Sequence, residues 1–373
     1  ATTRIAFTAA QVNKFLGTEI PEADMVHILE TLQFGIEKDG DTLTAVVPSY
    51  RGDCTEMPDI AEEVARVYGY ENIPSTRPAA PISKGEAGFH HDVGEKISSI
   101  LSSSGLNETV TFSFMHPDQL KKLLFKDGDA VYNAVPILNP ITEDFPLMRT
   151  TLVPTLMDVL VRNQAVKNPS VGIYEIAPVY RPKQLPLTEL PEQEFYVSGL
   201  LYGQRTPAEW PAKAENYDFY DVKGLVEAVL QGLGIQADLE VSDWAPLHPG
   251  KAARYVKDGK VLCDFGELHP KAIDNYDVAG PVYVFEMHMD AILPLVNLLP
   301  DYHKVAKFPA SSRDLAFLAP LATANADIVS VIKEDGGDNL EAVHLFDMYT
   351  GKQVPQGYKS LAYSLVFRSE EGT

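Results

Sequence analysis

The sequence predicts a multidomain α+β protein. At 373 residues the chain can hold two or three domains, each with its own core. Many strand-like segments are interspersed with helical ones and long excursions, the pattern of a mixed antiparallel sheet. A stretch rich in Pro, Ser and Ala, IPSTRPAAPISKG at 73–85, then divides the chain and reads as a linker. The segments between such breaks define the expected domains: 1–76, a linker at 77–85, 86–300 and 301–373.

Composition narrows the function classes. Hydrophobic residues make up 45% and charged residues 22%, an ordinary globular balance. Asp and Glu number 52 against 31 Lys and Arg, a net charge of −21, which excludes nucleic-acid binding through bulk charge. A local patch or a partner subunit would have to supply any such contact. Cys54 and Cys263 in an otherwise cysteine-poor chain point to a reducing cytoplasm. No apolar run approaches the roughly eighteen residues of a membrane span, and no basic-then-apolar signal pattern opens the chain. The chain begins ATTRIAFT without Met, and the expectation is a piece excised from something longer.

In chain order, Arg4 to Phe7 reads as a short strand, and AAQVNKFLG as a helix capped by Thr8 and stopped at Gly17. PEADMVHILETLQF starts a second helix with Pro21 in its first turn and apolar Met25, Val26, Ile28, Leu29 and Leu32 at helical spacing. IEKDGDTLTAVVP is a hairpin with Asp39 and Gly40 at its turn. Beyond the linker, HHDVGEKISSILSSSG is a helix closed by Gly105, TVTFSFM a strand, and Leu152 to Ala165 a long helix. IYEIAPVYRP, EFYVSGLLYG and VYVFEMHMD read as buried strands, FYDVKGLVEAVLQGLG as an amphipathic helix, and ARYVKDGKVLCDFGELHP as a hairpin around Asp258 and Gly259. From FPASSRDLAFLAP the order is strand, helix, strand, strand, the first two-thirds of a ferredoxin-like unit. The chain stops at Glu370 to Thr373, where a second helix is due, so a truncated domain is expected.

The densest chemistry lies in VPSYRGDCTEMPDIAEEVARVYGYENIP, Val47 to Pro74. Asp53, Asp59, Glu62 and Glu63 crowd the entry and first turns of one helix. Acids there favour the exposed N–H groups and the helix dipole, yet four exceed what capping needs. Hard oxygen ligands crowded in this way suit Mg²⁺ or Ca²⁺; a solvated acidic face gives the same spacing. Other candidates are weaker. His90 and His91 open a helix, His248 and His269 each precede Pro in loops where a turn role is expected, and Arg149 with Thr150 and Thr151 suggests a hydrogen-bonding brace. No G-x-S-x-G, C-x-x-C or phosphate-binding glycine loop occurs.

Four stretches together resemble the beta subunit of bacterial phenylalanyl-tRNA synthetase: RGDCTEMPDIAEEVARVYGYENIP, NPITEDFPLMRTTLVPTLMDVLVRN with IYEIAPVYRP, LHPGKAARY with FGELHP, and FPASSRDLAF. The resemblance spans nearly the whole chain and implies a C-terminal part of that subunit. It implies a small helical module with a DNA-binding-like look at 1–76, an inactive class II synthetase-like sheet domain at 86–300, and a ferredoxin-fold anticodon-binding domain, truncated, at 301–373. It places a magnesium ion, shared with the alpha subunit, on Asp53, Asp59, Glu62 and Glu63, so the isolated chain should bind it weakly or not at all. It implies an alpha2-beta2 assembly and tRNA(Phe) as partners, a cytoplasmic location and no membrane. In the sheet domain Arg181 stands where active relatives place an Arg, but Lys183 occupies the acidic position two residues on. The glycine-rich strand-helix signature ending in an ATP-binding Arg is absent. Adenylate chemistry is therefore not expected here. Tyr349, Tyr358, Phe367 and Arg368 are of the type that stacks RNA bases or pairs phosphates, with ordinary strand packing favoured for Phe367.

Two readings of other classes stand beside this one. A magnesium-dependent phosphohydrolase would centre on the four carboxylates, although two-metal chemistry needs ligands from several elements. A helix-turn-helix nucleic-acid-binding protein would use the first short helices, although an acidic recognition helix would repel phosphate.

Overall fold

Local signals near the N-terminus fold as their chemistry dictates. The computed structural model describes residues 2–77, 85, 87–207, 209–211, 213–299, 302, 304–369 and 372. Contacts divide the chain into two units, Ala1–Gly85 and Glu86–Thr373. Most of the expected linker at 77–85 lies outside the described residues.

The first unit runs β1 (Arg4–Phe7), α1 (Ala9–Leu16), α2 (Glu22–Thr31), β2 (Gly35–Asp39), β3 (Thr42–Val46) and α3 (Met57–Tyr68). Thr8 Oγ1 accepts from the Gln11 N–H at 3.1 Å and Gln11 Oε1 accepts from the Thr8 N–H at 2.9 Å, so α1 starts on a reciprocal cap. Gly17 ends it in a left-handed conformation, φ 69°. The strands form one antiparallel sheet in the order β1-β3-β2. Asp39 pairs with Thr42, so Gly40 and Asp41 make the turn, one residue later than Asp39–Gly40. Phe7, Met25, Leu29, Leu43, Ile60 and Val64 are at most 1% exposed and join sheet to helices. Burying each such side chain is worth about 1.5–3 kcal/mol. The unit is thus a sheet with helices rather than helices alone, and a DNA-binding-like module is not confirmed.

The second unit opens with α4 (Phe89–Ser103), β4 (Asn107–Glu108), β5 (Phe114–Met115), α5 (Pro117–Lys122), β6 (Leu147–Met148) and α6 (Val153–Ala165). It continues with β7 (Ser170–Arg181), β8 (Glu192–Thr206), β9 (Glu215–Asn216), α7 (Phe219–Gly232), β10 (Asp238–Val241), β11 (Leu247–Lys257) and β12 (Lys260–Leu268). Next come α8 (Pro270–Asn275), β13 (Val282–His288) and α9 (Met289–Ile292). A mixed sheet in the order β10-β11-β12-β13-β8-β7-β4 is antiparallel except where β4 meets β7 in parallel, and β9 adds to β8.

Alternation along each strand serves two cores. On one face α4 and α7 cover Val197, Phe265, Phe285 and Met287. On the other, α6 and α8 cover Val171, Ile173, Leu200 and Val284. Gly199 lies opposite Phe285, and a Cβ at Gly199 would run into that ring. Asp258 and Gly259, both at positive φ (50° and 74°), close the tight β11–β12 hairpin. The TVTFSFM segment differs from expectation. Only Phe114–Met115 pairs there as a strand, because Thr111 is drawn aside to bond Glu175.

The last part of this unit holds β14 (Ser311–Pro320), α10 (Asn325–Asp335), β15 (Leu340–Tyr349) and β16 (Tyr358–Phe367) in an antiparallel sheet ordered β14-β16-β15. That is the expected strand, helix, strand, strand. Leu361 and Tyr363 of the central strand anchor its core.

Candidate functional site

The acidic turn of the first unit is organised by an arginine. Arg51 donates to Asp53 from Nε (3.0 Å) and Nη2 (2.6 Å), and to Glu63 from Nη1 (2.7 Å) and Nη2 (2.9 Å). Arg66, one turn along α3, donates to the same Glu63 at 2.5 Å. The guanidinium of Arg51 holds the Glu63 carboxyl down at about 2 and that of Asp53 also at about 2. Asp59 Oδ2 accepts from the backbone N–H groups of Thr55 (2.7 Å) and Glu56 (2.8 Å), which lowers its pKa and fastens the start of α3. The Glu62 side chain is exposed and makes no hydrogen bond among the described residues.

The four predicted ligands are therefore near in sequence but differently engaged. Two face Arg51, one caps the helix and one faces solvent. Among the described residues, no three His, Cys, Asp or Glu side chains converge to hold a metal. In the chain alone the four make an incomplete set, with Arg51 on Asp53 and Glu63 and Arg66 on Glu63.

In the large sheet a second constellation appears that sequence reasoning missed. Strand register places Glu240, Arg254, Asp264, Glu286, Ser198 and Glu175 directly opposite one another, each on the next strand from β10 to β7. This polar row crosses six strands on a single face. At one end Glu175 is buried and paired with Arg149 at 2.8 Å; both side chains are 3% exposed or less. Arg149 also donates to Pro178 O and Thr111 Oγ1, so the expected brace is present. At the other end Arg254 meets Asp243 (2.8 Å) and Glu240 (3.4 Å). In the middle Glu286 accepts from Thr151 Oγ1 (2.7 Å) and the Leu152 N–H (2.9 Å), while Asp264 accepts from Ser242 Oγ (2.5 Å). Burial pushes the Glu286 carboxyl up to about 7 and raises that of Asp264. The signal was a lone polar residue inside an apolar strand, as in IYEIAP, FYVSGL, VLCDFG and VYVFEM. Which of them meet depends on register, which spans more than a hundred residues.

Arg181 donates to Glu194 (3.1 Å), Tyr196 Oη (2.9 Å) and Thr150 O (3.3 Å). Lys183 pairs with Glu189 (3.5 Å) and Glu192 (3.7 Å). His269 caps α8 by accepting from the Lys271 N–H, whereas His248 lies in β11 rather than in a loop and accepts from the Gly250 N–H. In the C-terminal sheet Tyr349 and Tyr358 are exposed, whereas Arg368 is tied to Glu341 (2.5 Å) and Phe308 O (3.0 Å). Cys54 and Cys263 are buried free thiols. Among the described residues no helix is long and apolar enough to cross a membrane.

Three family models match in succession along the chain. The tRNA synthetase B5 domain matches 5–70, the phenylalanyl tRNA synthetase beta chain CLM domain 73–289, and the ferredoxin-fold anticodon binding domain 306–373. Among curated proteins, the phenylalanine–tRNA ligase beta subunits of Clostridium tetani and Clostridium acetobutylicum are 35% and 36% identical over 97% of this chain. That of Staphylococcus saprophyticus is 33% identical over 100% of it. The chain spans 44% of the length of the two clostridial relatives and 46% of the third. A solved Desulfitobacterium hafniense pyrrolysyl tRNA synthetase, PylSc, shares 17% identity over 54% of this chain and 67% of its own. Its TM-score of 0.41 is too low to carry an argument.

Proposed function

The chain belongs to the phenylalanyl-tRNA synthetase beta-chain family, and from that premise we propose that it is a non-catalytic part of a phenylalanine–tRNA ligase beta subunit. In this role it supports assembly with an alpha subunit and binding of tRNA(Phe), within an enzyme that charges tRNA with phenylalanine using ATP. The observation that carries the proposal is the order of the three matched models, which together cover nearly all of the chain. The domain division that goes with it is 1–76, a linker at 77–85, 86–300 and 301–373. The class II-like sheet is the scaffold at 86–300, and anticodon binding falls to the ferredoxin-like part at 301–373. The assembly is an alpha2-beta2 heterotetramer in the cytoplasm.

The sheet domain takes a structural role. Arg181 is held by Glu194 and Tyr196, and Lys183 stands where an acid would be needed, so these two positions do not clamp a triphosphate. The active site then lies in alpha. Neither the phosphohydrolase nor the helix-turn-helix reading gains support from the matched families. Co-purification of the chain with a cognate alpha subunit, followed by ATP–pyrophosphate exchange, tests the split. Exchange should require alpha; exchange by the chain alone overturns it.

Magnesium on Asp53, Asp59, Glu62 and Glu63 belongs to the assembled enzyme in this proposal. The B5 match includes all four positions. With Arg51 and Arg66 already neutralising Glu63, the chain alone offers an incomplete site. Mg²⁺ titration by calorimetry should give weak or no binding without alpha and measurable binding with it; equal tight binding in both refutes the shared site.

A further inference from the structure

The guanidinium of Arg51 is committed to two carboxylates. Among the described residues, every hydrogen bond of this side chain ends on Asp53 or Glu63. Both oxygens of each acid accept from it. The brace in the large sheet is built differently. There Arg149 also donates to Pro178 O and Thr111 Oγ1, so a carbonyl and a hydroxyl hold it beside Glu175. The Arg149 side chain is 2% exposed, whereas that of Arg51 is 20% exposed and that of its partner Asp53 64%. Arg51 lies between β3 and α3, with its guanidinium 5.8 Å from the centroid of the Phe34 ring. It is a half-buried cation laid across two of the four acids of the turn.

A divalent ion bonded to those oxygens at about 2.1 Å would stand within contact range of the guanidinium charge. Like charges that close repel, and water at a half-exposed place screens them only in part. The two carboxylates therefore take either the guanidinium or the metal. The rest of the turn does not depend on Arg51. Glu63 keeps Arg66, and Asp59 stays on the Thr55 and Glu56 N–H groups. The arginine can leave without dismantling the start of α3.

We propose that Arg51 is an internal counter-ion that closes Asp53 and Glu63 to divalent cations in the chain alone, and that metal enters only as its guanidinium leaves. The inference rests on the shared-magnesium reading of this turn and adds the group that regulates it. A fixed orienting role has the opposite sign. An arginine that stayed in place and held the carboxylates ready for the ion would be missed on removal, and binding would weaken.

The test titrates Mg²⁺ into the 373-residue chain and its Arg51→Met variant by calorimetry, and records the thermal unfolding midpoint of each with and without Mg²⁺. Arg51→Met should bind Mg²⁺ at least about tenfold more tightly than the parent chain. Mg²⁺ should raise the midpoint of the variant and leave that of the parent in place. Arg51→Lys keeps a cation at the position and should stay within about threefold of the parent. Combining Arg51→Met with Asp53→Asn should erase the gain. Arg51→Gln, which retains hydrogen-bond donors, replaces Arg51→Met if the latter does not fold. Equal or weaker Mg²⁺ binding without Arg51, or a gain that survives Asp53→Asn, overturns the proposal. Mg²⁺ binding by the parent chain with alpha, alongside no gain in Arg51→Met, sinks the proposal and leaves the magnesium reading standing; no binding in either sinks both.

Discussion

The acidic turn of the first unit and the acidic pair in the large sheet are opposite solutions to the same problem. Asp53, Asp59 and Glu63 lie within eleven residues of one another, yet each has a donor built beside it: Arg51, the backbone of Thr55 and Glu56, or Arg66. Asp264 and Glu286 are separated in sequence, meet through strand register, and are bonded only by hydroxyls and a backbone N–H, with Arg254 and Arg181 acting on them from further off. Crowding in sequence is therefore a poor guide to electrostatic need. What matters is whether a compensating charge sits within bonding distance in the fold.

The largest effect expected from breaking this contrast is on the braced end of the polar row. Arg149→Met would leave Glu175 buried without a cation, and should cost about 4 kcal/mol in urea unfolding of the second unit. A cost below about 1 kcal/mol would show that the brace is not needed to hold Glu175.

Next comes the pH signature of Glu286. Its folded value of about 7 lies above the ordinary 4.5, so between these the folded chain binds more protons than the unfolded one. Stability from this group is fully present below about 4.5 and is lost as pH rises through 7. His288 acts against it, because its value is depressed from 6.5 to about 4 and stability rises with pH across that window. A comparison of Glu286→Gln with the parent chain isolates the glutamate. The variant should be more stable by about 3 kcal/mol at pH 8 and by little at pH 4.5. Equal stability at both pH values would remove the contrast. Glu63 has the reverse sign: its value is lowered to about 2, so its contribution is present above 4.5 and lost as pH falls toward 2.

In the first unit, Arg51→Met should cost about 2 kcal/mol, less than the loss of Arg149, because Arg66 remains on Glu63 and Arg51 is 20% exposed. A larger loss than Arg149→Met would reverse the ranking. The smallest effect belongs to Glu62→Gln. This exposed side chain makes no hydrogen bond among the described residues, so the unfolding midpoint of the chain alone should not move.

Local features were legible where the chemistry is local. Thr8 and Gly17 bound the first helix because a hydroxyl cap and a left-handed glycine act within one turn. Asp258–Gly259 marks its hairpin for the same reason. The sheet domain and the ferredoxin-like order followed from strand periodicity and from a family resemblance. The acidic turn was legible as a cluster, but Arg51, the partner that dominates it, carries no sequence signal that separates a buried clamp from a solvated cation. TVTFSFM kept its apolar alternation without becoming a long strand, since Thr111 is committed to Glu175. The polar row escaped because each member sits alone in its own strand, and only two successive strand pairings through Ser198 bring Glu175 and Glu286 into one row.

That row also changes what a titration of this protein measures. Neighbours along it exchange electrostatic influence, so proton loss at Glu286 alters the field at Asp264, and through it at Arg254. Carboxyl resonances followed against pH should then show curves with two inflections at both sites. The midpoints belong to the coupled pair rather than to either side chain. Removing the charge at the β10 edge, by Glu240→Gln, would be registered in the interior as a shift of those midpoints, carried through Arg254.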